Sequence, residues 1–256
     1  MLFDHIIMNP PYNGSLHLKI LRTVIEQCKG AEIVNLSPIT EIVSLTTKKK
    51  TTNFLNGHIE SIERVDMLAA QNIFGARIYM DLGIYHLVPT GGKSVKDLDK
   101  FALRGKDSIH KDIWNKIQSS ECKRFSDFIT KPDKLMEGYC VVFNHMSGLT
   151  KTHNFVYVDG VAPDGKTYKE HVTNQHKNES TDHFEFTTKE EAENFRLYVN
   201  SNIIKFVQSC VNYSGRLIMS AFPFMPTYTH PWSDAELCKY FGLTDEEIKE
   251  IEKEIG

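Results

Sequence analysis

Residues 8–13 read MNPPYN and stand directly after the apolar run FDHII. An amide, two prolines and an aromatic ring are set side by side, and each bears on one chemical task. An enzyme acting on the exocyclic amine of an extruded base needs an acceptor for the amine hydrogens. It also needs a second acceptor to orient the lone pair and a flat surface for the ring. The side-chain carbonyl of Asn9 is a candidate for the first acceptor and the backbone carbonyl of Pro10 for the second. Pro10 and Pro11 have no N–H and stiffen the turn. The Tyr12 ring is a candidate stacking surface, a contact worth roughly 1–3 kcal/mol per base. The competing reading is structural: the prolines stop a strand and Tyr12 belongs to an ordinary turn. The setting, a strand end that opens an apolar helix, favours the chemical reading, because α/β sheets place ligands at the carboxyl ends of strands.

Those residues need elements to hold them. LFDHIIM (2–8) is short, apolar and β-leaning, as a buried strand would be. Leu16, Ile20, Leu21, Val24, Ile25 and Cys28 recur at helical spacing, with Gly30 as the expected stop. AEIVNLSP (31–38) reads as a second strand, IESIERVDM (59–67) as a third, and ARIYMDLGIYHLVP (76–89) as one or two more. Strand, helix and strand at this spacing predict an α/β unit with a parallel sheet. Composition changes at TGGKSVKDLDK, which places a boundary near 90. Beyond it, YCVVFNHM and NFVYVDG read as strands, APDG as a turn, and the stretch from TTKEEAENF to QSCV as one or two helices. Thr187 or Thr188 caps the first of these. In the tail, SDAELCKYFGLTDEEIKEIEKEI reads as two short helices capped by Ser233 and Thr244.

Composition narrows the class. A formal net charge of −3 over 256 residues gives no overall basic field, so contact with nucleic acid must come from local patches. Five cysteines without a paired spacing point to reduced thiols in a cytoplasmic protein. No run approaches the ~18 apolar residues of a membrane span, and no leader-like N-terminal segment is expected.

FDHIIMNPPYNGS resembles motif IV of the S-adenosylmethionine-dependent DNA adenine-N6 methyltransferases of restriction–modification systems. AEIVNLSP and IESIERVDM are similar to following sheet strands of that family, and HPWSDAELCKYFGLTDEEIKEIEKEI to the C-terminal end of several such enzymes. The resemblance covers roughly 1–90 and 222–256. It implies a partial Rossmann-like methyltransferase sheet, beginning at the NPPY strand, with an α+β target-recognition region. The implied organisation is a partial catalytic domain over 1–90, a target-recognition domain over 91–200 and a helical tail over 201–256. Asn9, Pro10, Pro11 and Tyr12 become the target-base residues, S-adenosylmethionine the cofactor and double-stranded DNA the partner. The family's Gly-rich donor turn has no counterpart here: neither TGGKSV nor LRGKDS has a strand–turn–helix frame. The expectation is therefore a catalytic loop that works with a donor-binding half in trans. A partner chain or a second copy would cover the edge of the 2–8 strand. The alternative is a catalytically inactive binding modulator of a restriction–modification system.

Other constellations carry less. Lys48, Lys49 and Lys50, flanked by threonines, suit phosphate contact as well as they suit a solvated loop. His145, His153, His171, His176 and His183 have no metal-ligand spacing, so no metal site is expected. Phe74, Tyr79, Tyr85 and Tyr157 are read as core aromatics, and Trp232 as a packing anchor for the tail.

Overall fold

The computed structural model describes residues 3–45, 50–78, 80–130, 136–144, 155–167, 170, 181–211 and 218–256. Internal contacts divide the chain into two units, Met1–Asp107 and Ser108–Gly256. The stretch 91–107 therefore belongs with the first unit, and 201–256 shares a unit with 108–200.

In the first unit, β1 (His5–Met8) runs into the NPPY turn, and α1 (Leu16–Gln27) follows. Gly14, at a left-handed φ of 56°, lets the chain swing from that turn into the helix. Leu18 and Leu21 are buried one helical turn apart, and full burial of such a side chain is worth roughly 1.5–3 kcal/mol. The helix closes at Cys28 rather than Gly30: the Cys28 N–H donates to the Val24 carbonyl. Next come β2 (Glu32–Pro38), the single turn α2 (Thr40–Val43), β3 (Ile59–Val65), α3 (Met67–Phe74) and β4 (Leu82–Leu87).

The sheet order is β1-β2-β4-β3. β1 and β2 are parallel, with Met8 opposite Asn35, whereas β4 runs antiparallel to both β2 and β3. The expected all-parallel sheet is thus corrected to a mixed one. Residues 66–81, which include α3, join β3 to β4, and the chain re-enters the sheet antiparallel to β3. That helix escaped the sequence reading. It begins at Asp66, whose carboxylate accepts from the Ala69 N–H, and ends on left-handed Gly75. Phe74, expected in a core, is 46% exposed on it, while Tyr85 and Tyr157 are buried; Tyr79 lies outside the described residues.

The second unit combines α4 (Ser108–Ser119), β5 (Lys123–Arg124), β6 (Tyr139–Asn144), β7 (Tyr157–Val158) and β8 (Thr181–Phe186) with α5 (Lys189–Val199) and α6 (Asn202–Val211). β9 (Pro223–Phe224), α7 (Asp234–Tyr240) and α8 (Asp245–Ile255) complete it. β6 lies between β7 and β8, antiparallel to each, and β5 pairs with β9. Its core is aromatic: the Phe125 ring lies within 5.5 Å of the Phe184, Phe195 and Phe222 rings, centroid to centroid. Thr188, Ser233 and Thr244 each begin a helix with a reciprocal capping box. The Trp232 indole N–H donates to the Thr227 carbonyl, and its ring meets Tyr240 edge-on.

Candidate functional site

β1 delivers Asn9 and the two prolines straight from its carboxyl end. Asn9 and Pro11 are exposed, Pro10 is buried and Tyr12 is half-buried. The Tyr12 hydroxyl lies 2.6 Å from Asn9 Oδ1 and 3.2 Å from the Leu36 carbonyl of β2. A phenol carries one proton, and the shorter contact claims it. The four sequence-predicted residues therefore form one bracket: the ring of Tyr12 stands beside the amide it must cooperate with, pinned at its tip. Burial raises the Tyr12 pKa above its ordinary value, so the hydroxyl stays a donor through neutral and mildly alkaline pH.

Beneath the bracket lies a polar floor that sequence reasoning missed. Asn35 is fully buried; its Nδ2 donates to Ser37 Oγ at 2.8 Å, and its Oδ1 has no hydrogen-bond partner. The Tyr85 hydroxyl, from the neighbouring strand, donates to the Pro38 carbonyl at 2.8 Å. Burial raises the Tyr85 pKa strongly. His17 is 5% exposed, stands edge-on to Tyr12 with ring centroids 6.2 Å apart, and neither ring nitrogen reaches a hydrogen-bond partner. Orphaned buried polar atoms cost about 1–3 kcal/mol each, and Asn35 and His17 set two polar side chains close to this one turn. The signal was present in the chain. His17 occupies a core position of the α1 stripe, four residues before Leu21, and Asn35 and Ser37 share the buried parity of β2 with Ile33.

His17 sets a pH dependence. Burial lowers its pKa below the ordinary 6.5, partly offset by the Glu41 carboxylate and the Gly14 backbone. The unfolded chain then takes up a proton that the folded one resists, so stability is complete above about pH 6.5 and falls as the solution is acidified. Urea titrations at pH 7.5 and 5.5 should show the first unit weakened at the lower pH. His17→Leu should shrink that difference; an unchanged difference would contradict the assignment.

The remaining candidates separate from the bracket. Lys50 opens a 3-10 turn, Lys50–Leu55, whereas Lys48 and Lys49 lie outside the described residues, as do His145, His153, His171 and His176. His183 is buried in β8 with its Nε2 3.0 Å from a Glu185 carboxylate oxygen. All five cysteines are free thiols, and burial pushes Cys140 up to about 12, which leaves it unreactive.

Among the described residues, no glycine-rich strand–turn–helix of the kind that would hold S-adenosylmethionine is present. The one glycine pair with the right look, Gly91-Gly92, is consumed in pairing: the Gly92 N–H donates to the Gly57 carbonyl, and the adjoining Lys93 bridges to Ile59. β1 is an outer strand of the described sheet. No described helix is long and apolar enough to cross a membrane. Comparison with protein-family models, with curated proteins and with solved structures returned no match to this chain.

Proposed function

We propose that the first unit is the target-amine portion of a DNA adenine-N6 methyltransferase, working with a donor-binding half in trans. The observation that carries this reading is the Tyr12–Asn9 bracket, a half-exposed ring hydrogen-bonded at 2.6 Å to an exposed amide oxygen at the carboxyl end of a strand. In this scheme an extruded adenine slides over Tyr12 and its amine takes the place of the phenol proton at Asn9 Oδ1. The Pro10 carbonyl accepts the second amine hydrogen. With both hydrogens held, the amine nitrogen would present its lone pair out of the ring plane, and a donor-binding half in trans would supply the methyl group there. DNA supplies the substrate, and the second unit is the region that would read its sequence.

A second reading, a non-catalytic DNA- or protein-binding modulator, is favoured by the lack of a glycine-rich donor turn among the described residues. The two part in one experiment. The chain, alone and with the product of a neighbouring reading frame that carries a Gly-rich donor motif, is incubated with unmethylated DNA and S-adenosylmethionine. N6-methyladenine is then measured by mass spectrometry. Product that disappears in Asn9→Ala supports the transferase; its absence in both mixtures, with DNA binding retained, supports the modulator.

The outer edge of β1 carries the proposal of a covering partner or second copy. β1 pairs only with β2 among the described strands, Phe3 is 49% exposed and Ile7 85% exposed. An apolar edge of this kind is a pairing template. Light scattering should show the isolated protein associating with rising concentration and Ile7→Lys remaining monomeric. A wild-type protein that stays monomeric at every concentration would remove this proposal.

A further inference from the structure

We infer that the partner covering β1 brings a helix as well as a strand, and that this helix lies on the open face of the first-unit sheet, over Ile7, Val34, Leu36 and Ile84. The choice of partner rests on the proposed donor-binding half; the shape of the interface rests on the sheet alone. Successive side chains point to opposite faces of a strand, and residues directly opposite each other share a face, so the register assigns each one. Ile33, Asn35 and Ser37 of β2 share a face with Tyr85 and Leu87 of β4, and none of the five is more than 3% exposed. α1 covers that face, where Ile25 and Cys28 line a small cleft with Ile33 and Leu87. The other face is different. Ile7 stands beside Val34, Val34 beside His86, and Leu36 beside Ile84. Ile7 is 85% exposed, and Val34, Leu36, Ile84 and His86 are only half-buried. The stripe ends at the paired Pro38 and Leu82, which are buried.

Strand direction and charge identify the occupant. β1 and β2 are parallel, and parallel strands occur almost only where helices cover both faces of the sheet. The open stripe also runs into the outer edge of β1, so edge and face form one surface. Two copies joined edge to edge through β1 would extend the ladder and leave the Ile7–Ile84 stripe of each uncovered. Copies stacked face to face would leave both edges bare. A strand added parallel to β1 meets both needs, because its connection must cross back over a sheet face, usually as a helix. The rim of the stripe is acidic. Glu32 and Glu63 have side chains 61% and 68% exposed, with His5 3.3 Å from the first and His86 3.8 Å from the second. That rim suits an amphipathic helix whose apolar stripe is flanked by lysine or arginine.

The test mixes the full chain with the product of a neighbouring reading frame that carries a Gly-rich donor motif. Light scattering reads the stoichiometry, calorimetry the affinity and amide exchange the β1 ladder. Self-association of the lone chain should give way to a one-to-one complex in which the amides of residues 5–8 exchange about tenfold more slowly or less. Ile84→Lys, away from the edge, should keep the circular dichroism of the free chain and weaken the complex about tenfold or more. Val34→Thr, close in shape to the wild type, should weaken it severalfold and serves wherever the lysine variant does not fold. A complex that slows the β1 amides yet is indifferent to both variants would overturn the helix on the face and leave edge pairing alone. Absence of any complex would overturn the inference outright. A homodimer that persists beside the added product and dissolves in Ile84→Lys would assign the face to a second copy instead. Association is read without methylation: a complex that forms as described but transfers no methyl group removes the proposed function and keeps this interface.

Discussion

Tyr12→Ala should abolish measurable N6-methyladenine formation and weaken binding of DNA carrying an abasic site opposite the target adenine by one to two orders of magnitude. The estimate follows from a stacking contact worth roughly 1–3 kcal/mol. Tyr12→Phe separates the two jobs of the side chain. It keeps the ring but loses the hydroxyl that lies 2.6 Å from Asn9 Oδ1 and 3.2 Å from the Leu36 carbonyl. Base stacking should survive in the phenylalanine variant, and Asn9, released from its internal partner, should accept the amine without competition. Binding should therefore match or exceed wild type, while transfer falls modestly because the ring is less firmly placed. Fluorescence of 2-aminopurine at the target position reads extrusion directly. Equal extrusion by wild type and Tyr12→Ala would remove the stacking role, and with it the proposed function.

Gly92→Ala should be the most damaging single-methyl addition in the first unit. A Cβ at this position would lie 2.5 Å from the His58 carbonyl carbon and 2.6 Å from the Ile59 nitrogen. Both are backbone atoms at the start of β3, held by bonds between Lys93 and residues 57 and 59, so neither can step aside cheaply. Overpacking of this kind costs typically 1–3 kcal/mol, and the rigid neighbours place the expected loss at the upper end. Its neighbour supplies the control. Gly91 has open space around it but a φ of 80°, so Gly91→Ala costs only the left-handed backbone penalty of about 1–2 kcal/mol. Denaturant midpoints for the two variants should rank Gly92→Ala below Gly91→Ala. The reverse order would mean that the 91–93 strap is not seated on β3.

This strap also shows why composition and internal contacts divide the chain at different places. Two glycines and a rise in charge read as a linker near 90, yet here the absence of side chains is what lets the strap close on β3, and the first unit continues to Asp107. Local signals were legible where they act within one turn. Ser233, Thr244 and one of Thr187 or Thr188 were legible as caps, and the structure selects Thr188, each hydroxyl being answered by a Glu three residues on. β2 and the apolar face of α1 followed from hydrophobic period, whereas β1, read as a buried strand over 2–8, is a four-residue strand with Ile7 85% exposed. What could not be read is what depends on distant partners. The antiparallel placement of β4 rests on its pairing with β2 and β3. At the candidate site the bracket residues were legible from their types and order. The polar floor was not sought, although His17, Asn35 and Ser37 all stand where the pattern calls for apolar side chains.

β1 has a bearing on how such a protein would be controlled. Four residues long and bonded on one flank only, it is among the least anchored strands of its sheet, and the NPPY turn hangs from its end. Amide exchange should be fast there in the free chain. Under the proposed function, a neighbour that completed the ladder would stiffen the turn that carries Asn9 and Tyr12, making competence a property of the assembled complex and leaving a lone subunit idle.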